Sequence, residues 1–323
     1  MAPLPAVANQ LNLNLTFHHP EYESRYNLIP ITKALINSKN KPDFIISVFR
    51  GSSARPLLEL IEKHKIPLIT VSTGVPKFEQ KQIGLPQQNF KYWLAQIISD
   101  DISSGGLVAK ELVLRKLKAD INKKIKLLAI GGNKIFEASR LRDKGLLQEV
   151  SNNDNIEFLQ LVHSDWDNNT TKRMTKQLIN RHKNIDAIWT ANVDIAFSAE
   201  QTLSNMPSLK NAPPIIGTVD WTQKGFSAIK ENKILFSLGS NHFIGIWSLI
   251  LYHDIAHGMA ITPSDQTTFI TSYILADKNN IEKIEPYLDA DNWKHINIKG
   301  YSKIFNKQLN NYNFDFSLLL NKK

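Results

Sequence analysis

Short apolar runs alternate with longer amphipathic segments along most of this chain, and that alternation narrows its fold more than any other feature. Strands are expected at 11–17 (LNLNLTF), 43–49 (DFIISVF), 66–72 (IPLITVS), 124–132, 156–162, 185–191, 213–219 and 234–239. Helices are expected at about 27–38, 53–65, 102–120, 137–150, 169–182, 193–204, 222–231 and 243–258. Most of the strand runs are continuously apolar, as strands buried on both faces must be, which points to parallel sheets covered by helices. Three of these strands fall before residue 110 and five after, too many for one compact lobe. The expected class is therefore α/β, with two doubly wound parallel-sheet lobes. From residue 280 the alternation fades into an aromatic, Asn-rich stretch (EPYLDADNWKHINIKGYSKIFNKQLNNYNFDFSLLL), read as an extension packed onto the lobes.

Composition removes several function classes. With 42% hydrophobic and 21% charged residues in 323, the chain is globular rather than disordered. Net charge is +9, but the lysines are scattered and no arginine-rich stripe interleaves with aromatics, so no nucleic-acid partner is expected. The absence of cysteine excludes disulfides, thiol catalysis and Cys-ligated zinc. The start, MAPLPAVANQ, carries no basic segment followed by a long apolar one, so either there is no export signal or one has been removed. The most apolar stretch, FIGIWSLILYHDIAHG, is interrupted by His253 and Asp254 short of the roughly 18 residues a membrane span needs.

In open α/β sheets ligands bind beyond the carboxyl ends of the strands. The residues expected there are Arg25 and Tyr26 after the first strand, Phe49 and Arg50 after the second, and Asp100 and Asp101 before the 102–120 helix. Beyond them come Arg140 and Arg142, then the run His163 to Trp166, then Asn192 and Asp194, then Asp220 and Trp221. Planar acceptors, a forked donor and flat apolar rings suit a neutral polyol, whose hydroxyls need bidentate partners and whose C–H faces need an aromatic surface. Each residue alone has a blander explanation. Asn192, Asp194, Asp100 and Asp101 can be helix caps, the arginines surface charges, and the tryptophans half-buried core.

The segments SDDISSGGLVAKELV, SRLRDKGL, HSDWDN, IDAIWTANVDIAFSAEQTL, IIGTVDWTQKGFSAIKENKILFSLG and GIWSLILYHDIAHG occur in an order and spacing that resembles the type 1 periplasmic binding proteins. These are the sugar- and autoinducer-binding components of ABC transporters and sensor systems, and the resemblance covers about 11–275. It implies that Asp101, five residues before Gly106, is a ligand-binding carboxylate of the first lobe. Arg142, three before Gly145, is the residue that forks onto ligand hydroxyls. Trp166 stands at a stacking position, Asn192 at an amide contact, and Asp220 with Trp221 beside the second-lobe carboxylate position. Phe49, Arg50, Arg25 and Tyr26 fall in first-lobe loops that vary with ligand, and His242 lies near a polar contact where the chain crosses back.

The resemblance further implies hinge crossings near 121–124, 240–243 and 262–267. That gives a first lobe of 1–121 plus 242–265, a second of 122–241 plus 266–280, and an extension of 281–323. It implies a monomer in the periplasm with its export signal removed. The partners would be a small sugar, polyol or furanosyl quorum signal and a membrane permease or a sensor kinase or cyclase, with no cofactor. Two departures, Val193 inside Asn192–Asp194 and the pair His18–His19, suggest a ligand bulkier or more anionic than a plain pentose or hexose. The same fold in a signalling receptor is the alternative.

A LacI-type regulator would need a helix-turn-helix ahead of the first strand. An enzyme finds no support, since the chain holds no G-x-S-x-G, no P-loop and no G-x-G-x-x-G after the first strand. His253 and His257 have the spacing of a zinc helix, but Asp replaces the usual Glu and no third ligand is evident, so no metal is expected.

Overall fold

The computed structural model describes residues 3–19, 26–118, 123–209, 211–261 and 266–320. The chain divides into two compact units. Unit 1 comprises Met1–Ser99, Asn241–Ser272 and Asp289–Lys323, and unit 2 comprises Asp100–Ser240 and Tyr273–Leu288.

Unit 1 holds α1 (Leu4–Gln10), α2 (Leu28–Ile36), β1 (Ile45–Ser47), α3 (Ala54–His64), β2 (Leu68–Ser72), α4 (Lys77–Ile83) and β3 (Trp93–Ser99). Later in the chain it adds α10 (Ile244–Ala256), β9 (Thr268–Thr271) and the short α12 (Ser317–Leu320). Its sheet runs β1-β2-β3-β9, all parallel. Leu57, Leu58 and Ile61 of α3 pack with Leu68 and Trp93 in a fully buried cluster. α10 is apolar on nearly every side and buries nine of its residues, so it lies inside the unit. The last stretch of chain is anchored on it. Phe243 stacks on Phe316 at 4.4 Å, Trp247 packs on Tyr301 and Phe314, and Asp254 accepts hydrogen bonds from Ser302, the Lys303 amide and Tyr312. Trp293, Ile298, Tyr301, Phe314, Phe316 and Leu319 from this stretch are therefore part of the unit's core.

Unit 2 holds α5 (Asp101–Leu117), β4 (Ile125–Gly131), α6 (Glu137–Asn152), β5 (Ile156–His163), α7 (Asn168–Arg181), β6 (Ala187–Thr190) and α8 (Val193–Ser204). β7 (Ile215–Val219), α9 (Gln223–Lys230), β8 (Phe236–Gly239), β10 (Ile274–Ala276) and α11 (Ile281–Ile284) complete it. The sheet order is β10-β8-β7-β6-β4-β5, parallel except for β10. β4 is flanked by β5 on one side and β6 on the other, so the β4-to-β5 connection runs one way and the β5-to-β6 connection runs back past β4. The crevice between the ends of β4 and β6 is the topological switch point of the sheet.

The expected class holds, with parallel sheets and helices in both units, but three expectations need correction. Residues 11–17 form no strand. Asn12 takes a left-handed φ of 53° and ends α1, with the Leu13 amide donating to the Ala8 carbonyl and the Asn12 amide to the Asn9 carbonyl. This is a Schellman cap, and the Leu-Asn alternation serves a helix end instead of a ladder. Second, α5 belongs to unit 2, so the chain passes between units at Ser99/Asp100 and not near 121–124. The cause is its packing on α6. A Cβ on Gly105 would lie 1.9 Å from the Arg142 carbonyl oxygen, and one on Gly145 only 1.8 Å from that of Ile102, so the two helix backbones touch. Third, residues 268–276 form β9 and β10, and the last passages fall at Ser272/Tyr273 and Leu288/Asp289.

Candidate ligand site at the strand ends of unit 2

The adjacent aspartates that open α5 divide two tasks between them. Asp100 is the N-cap, accepting from the Ser103 amide at 3.1 Å. Asp101 turns inward, 2% exposed, and accepts from Arg142 Nε at 2.8 Å. Arg142, projected from α6, spends its fork on several partners. Nη1 donates to the Ala191 carbonyl at 2.7 Å, just past β6 and so at the switch point. Nη2 donates to the Tyr273 hydroxyl at 3.0 Å and lies 3.5 Å from Asp220 Oδ1. Tyr273 in turn donates to Asp101 Oδ1 at 2.7 Å.

Burial pushes the Asp101 carboxyl above its ordinary range, against the pull of Arg142 and Tyr273. Burial alone would lower Arg142, but Tyr273, Asp220 and Asp101 together hold it well above its ordinary value. Burial also raises the Tyr273 phenol, helped by the two carboxylates, so it remains a proton donor. The result is one permanent cation and a protonated phenol held between two acids, at the point in the sheet where ligands bind.

Around this core the strand ends add other chemistry. Asp220, beyond β7, holds a left-handed φ of 78° and is partly exposed. Asn192 caps α8, its side-chain oxygen accepting from the Ile195 amide at 3.0 Å, and stays partly exposed. Asp165 and Trp166 are both left-handed, at 55° and 63°, an uncommon state for a bulky residue and one kept where surrounding structure enforces it. The enforcing contact is Gly132, where a Cβ would come within 2.1 Å of the indole. Only glycine lets the ring lie across the end of β4. Beside it His163 and Asp143 are joined at 2.7 Å.

The structure thus brings Asp101, Arg142, Asn192, Asp220 and Trp166 together at one end of one sheet. Asp101 and Arg142 are bonded to each other and nearly buried, so they form the floor, and Asp220, Asn192 and Trp166 are the accessible members. Trp221 does not join them. It is 1% exposed, lies against Gly239, meets Phe226 edge-on and donates its indole N–H to the Ser237 carbonyl. It is core, because the left-handed turn at Asp220 sends the next side chain inward.

In unit 1, Phe49 is likewise core, 6% exposed and edge-on to Trp93 at 5.7 Å. Arg50 follows β1 partly exposed, with its amide donating to Ser53 Oγ. Tyr26 is 69% exposed, and His242 is exposed and edge-on to Phe243. Arg25 lies outside the described residues. His253 and His257 face each other at 4.2 Å, but their Nδ1 atoms engage Asp254 and the His253 carbonyl, and no group of three possible metal ligands occurs among the described residues. The sequence reading missed Tyr273 and the Asp143–His163 pair. Asp143 could have been found as the neighbour of Arg142, whereas nothing around Tyr273 marks it.

Residues 28–248 match the family model described as a periplasmic binding protein domain. The chain belongs to the periplasmic binding protein family. Families of this kind bind solutes and are not enzymes, as the missing nucleophile and cofactor motifs led us to expect. No curated protein matches this binding protein. Among solved structures it resembles a periplasmic sugar-binding protein from Pseudomonas fluorescens, at 22% identity over 98% of this chain and 93% of that one, with a TM-score of 0.84. It also resembles an ABC transporter solute-binding protein from Actinobacillus succinogenes with bound D-allose, at 17% identity over 86% and 91% and a TM-score of 0.71. A third is a solute-binding protein from Bacillus halodurans with bound myo-inositol, at 20% identity over 88% and 93% and a TM-score of 0.69. At these identities the likeness is one of fold.

Proposed function

We propose that this binding protein captures a small neutral polyhydroxy compound at the strand ends of unit 2 and presents the loaded form to a membrane partner, either a permease or a sensor. The observation that carries this is the bonded Asp101–Arg142–Tyr273 floor with the Asp220 carboxylate beside Arg142 and the Trp166 ring across the end of β4 in the same sheet. A carboxylate that accepts from two hydroxyls, beside an indole face for ring C–H groups, is the chemistry by which proteins hold sugars. The sugar- and cyclitol-bound structures of the same fold support the reading. The family implies an extracytoplasmic location. We take the two units to be the lobes whose relative motion reports the ligand, since binding that favours one arrangement shifts the population toward it.

The test is a thermal-shift and calorimetric panel of aldoses, ketoses, myo-inositol and furanosyl compounds, with nucleosides and amino acids as controls. A ligand at a hundred times its Kd adds about 2.7 kcal/mol of stability. Asp220→Asn should abolish the shift while changing the stability of the ligand-free protein by less than about 1 kcal/mol, because the group is partly solvated. A tight hit that Asp220→Asn leaves untouched would move the site elsewhere. Tight binding of an amino acid or nucleoside instead would overturn the ligand class.

A further inference from the structure

Two of the passages between units run side by side. In unit 1, β3 and β9 are parallel neighbours paired as far as Ser99 and Thr271. The chain then passes to unit 2 at Ser99/Asp100 and again at Ser272/Tyr273. The second residue after the first passage is Asp101, and the first after the second is Tyr273. These two, 172 positions apart in sequence, are joined by a 2.7 Å hydrogen bond at the threshold of unit 2. The same phenol accepts from Arg142 Nη2 at 3.0 Å, and Arg142 carries the connection on to Ala191 and Asp220.

We propose that Tyr273 is a positioning residue of the ligand site, whose hydroxyl ties the two adjacent passages together and sets Arg142 against Asp220 and the Ala191 carbonyl. The role rests on the ligand reading above only for its consequence in binding; the tie itself can be tested without a ligand. A phenol suits the position because it accepts from the arginine and donates to the carboxylate through one atom, leaving no charge of its own to compensate. Phenylalanine keeps the ring and removes both bonds.

The experiment compares the purified, ligand-free wild type with Tyr273→Phe by hydrogen-exchange mass spectrometry and by Tm as a function of pH. The expected result is faster exchange confined to the start of α5 and to residues 189–193, with β4, β7 and α9 unchanged. The pH profile adds a readout that loss of packing would not move. Burial holds the Asp101 carboxyl above its ordinary 3.8, so the native state binds that proton more tightly than the unfolded chain, and this group's contribution to stability falls as pH rises between 3.8 and the raised value. The charged and titratable groups facing Asp101 are Arg142 from α6, Asp220 beyond β7 and Tyr273. Removing the Tyr273 bond raises the carboxyl further and extends that window upward. The Tm deficit of Tyr273→Phe should therefore be larger at pH 8 than at pH 4, and the difference should vanish in an Asp101→Asn background.

Exchange that speeds up evenly over unit 2, a deficit independent of pH, or failure of Tyr273→Phe to fold would each make the hydroxyl a general structural group and overturn the proposal. So would unchanged exchange at both segments. If exchange loosens as described while the panel above yields no sugar, the tie stands and the ligand class falls.

Discussion

The most deeply buried aspartate of unit 2, Asp101, and that of unit 1, Asp254, are served in opposite ways. Asp101 in unit 2 faces the permanent cation of Arg142, a phenol and a second acid, Asp220, all at the open end of a sheet. Asp254 in unit 1, fully buried, pairs with no lysine or arginine side chain among the described residues. It accepts from Ser302 Oγ, the Lys303 amide and the Tyr312 hydroxyl, and pairs with His253 Nδ1 at 3.1 Å. Its donors come from a segment about fifty residues further along, so it staples the last part of the chain to α10. The difference teaches how to read a buried charge. A carboxylate fed by neutral donors from a distant segment serves the fold. A carboxylate set against a cation that is itself shared with another acid leaves an electrostatic arrangement aimed at something outside it.

Changing one side of this comparison at a time should separate the roles. The largest effect is expected for Arg142→Ala, which leaves Asp101 buried without its cation and should cost about 3–5 kcal/mol, read from urea unfolding. Retained stability would mean that the pair is solvated and the contrast with Asp254 false. Next is Gly105→Ala. Its Cβ cannot fit against the Arg142 carbonyl, so α5 and α6 must separate, at about 1–3 kcal/mol for the overpacking. The same variant should weaken ligand binding through the displaced Arg142, whereas Gly258→Ala, where a Cβ would meet nothing but the φ of +89° strains alanine, should cost stability and leave binding unchanged. The smallest effect is expected for Asp254→Asn. The new amide can donate to Ser302 Oγ and His253 Nδ1 while its oxygen keeps the Lys303 and Tyr312 bonds, so the loss should be about 1 kcal/mol in calorimetry. A loss as large as that of Arg142→Ala would show that Asp254 depends on its charge as much as Asp101 does.

What the sequence displayed and what it concealed follow from how local each signal is. α6, α8 and α9 lie within two residues of their expected bounds. Asn192 and Thr222 cap the last two, and their apolar spacing is helical. The parallel strands of unit 2 were legible as largely apolar runs, whereas β10 was not. Of the site, Asp101, Arg142, Asn192 and Asp220 were legible because they follow strands or open helices, and family spacing fixed their order. Trp221 and Phe49 misled, since an aromatic beside a strand end looks the same whether the turn sends it outward or inward. The φ of Asp220 decides that, and no neighbouring residue announces it. α1 was hidden because Asn12 reads equally well as an alternating strand residue or as a left-handed helix end. Tyr273 was hidden because its meaning lies in two residues more than a hundred positions away.

The contact of α5 with α6 is made of absences. Gly105 and Gly145 bring the two helix backbones together, and that closeness lets a short aspartate reach a long arginine in one hydrogen bond. The separation of the helices thus acts as a gauge for the site, set by two missing methyl groups. Restoring either one would retune the distance between cation and carboxylate without altering any residue a ligand could touch. For anyone redesigning this protein toward another ligand, the floor can be raised or lowered from beneath.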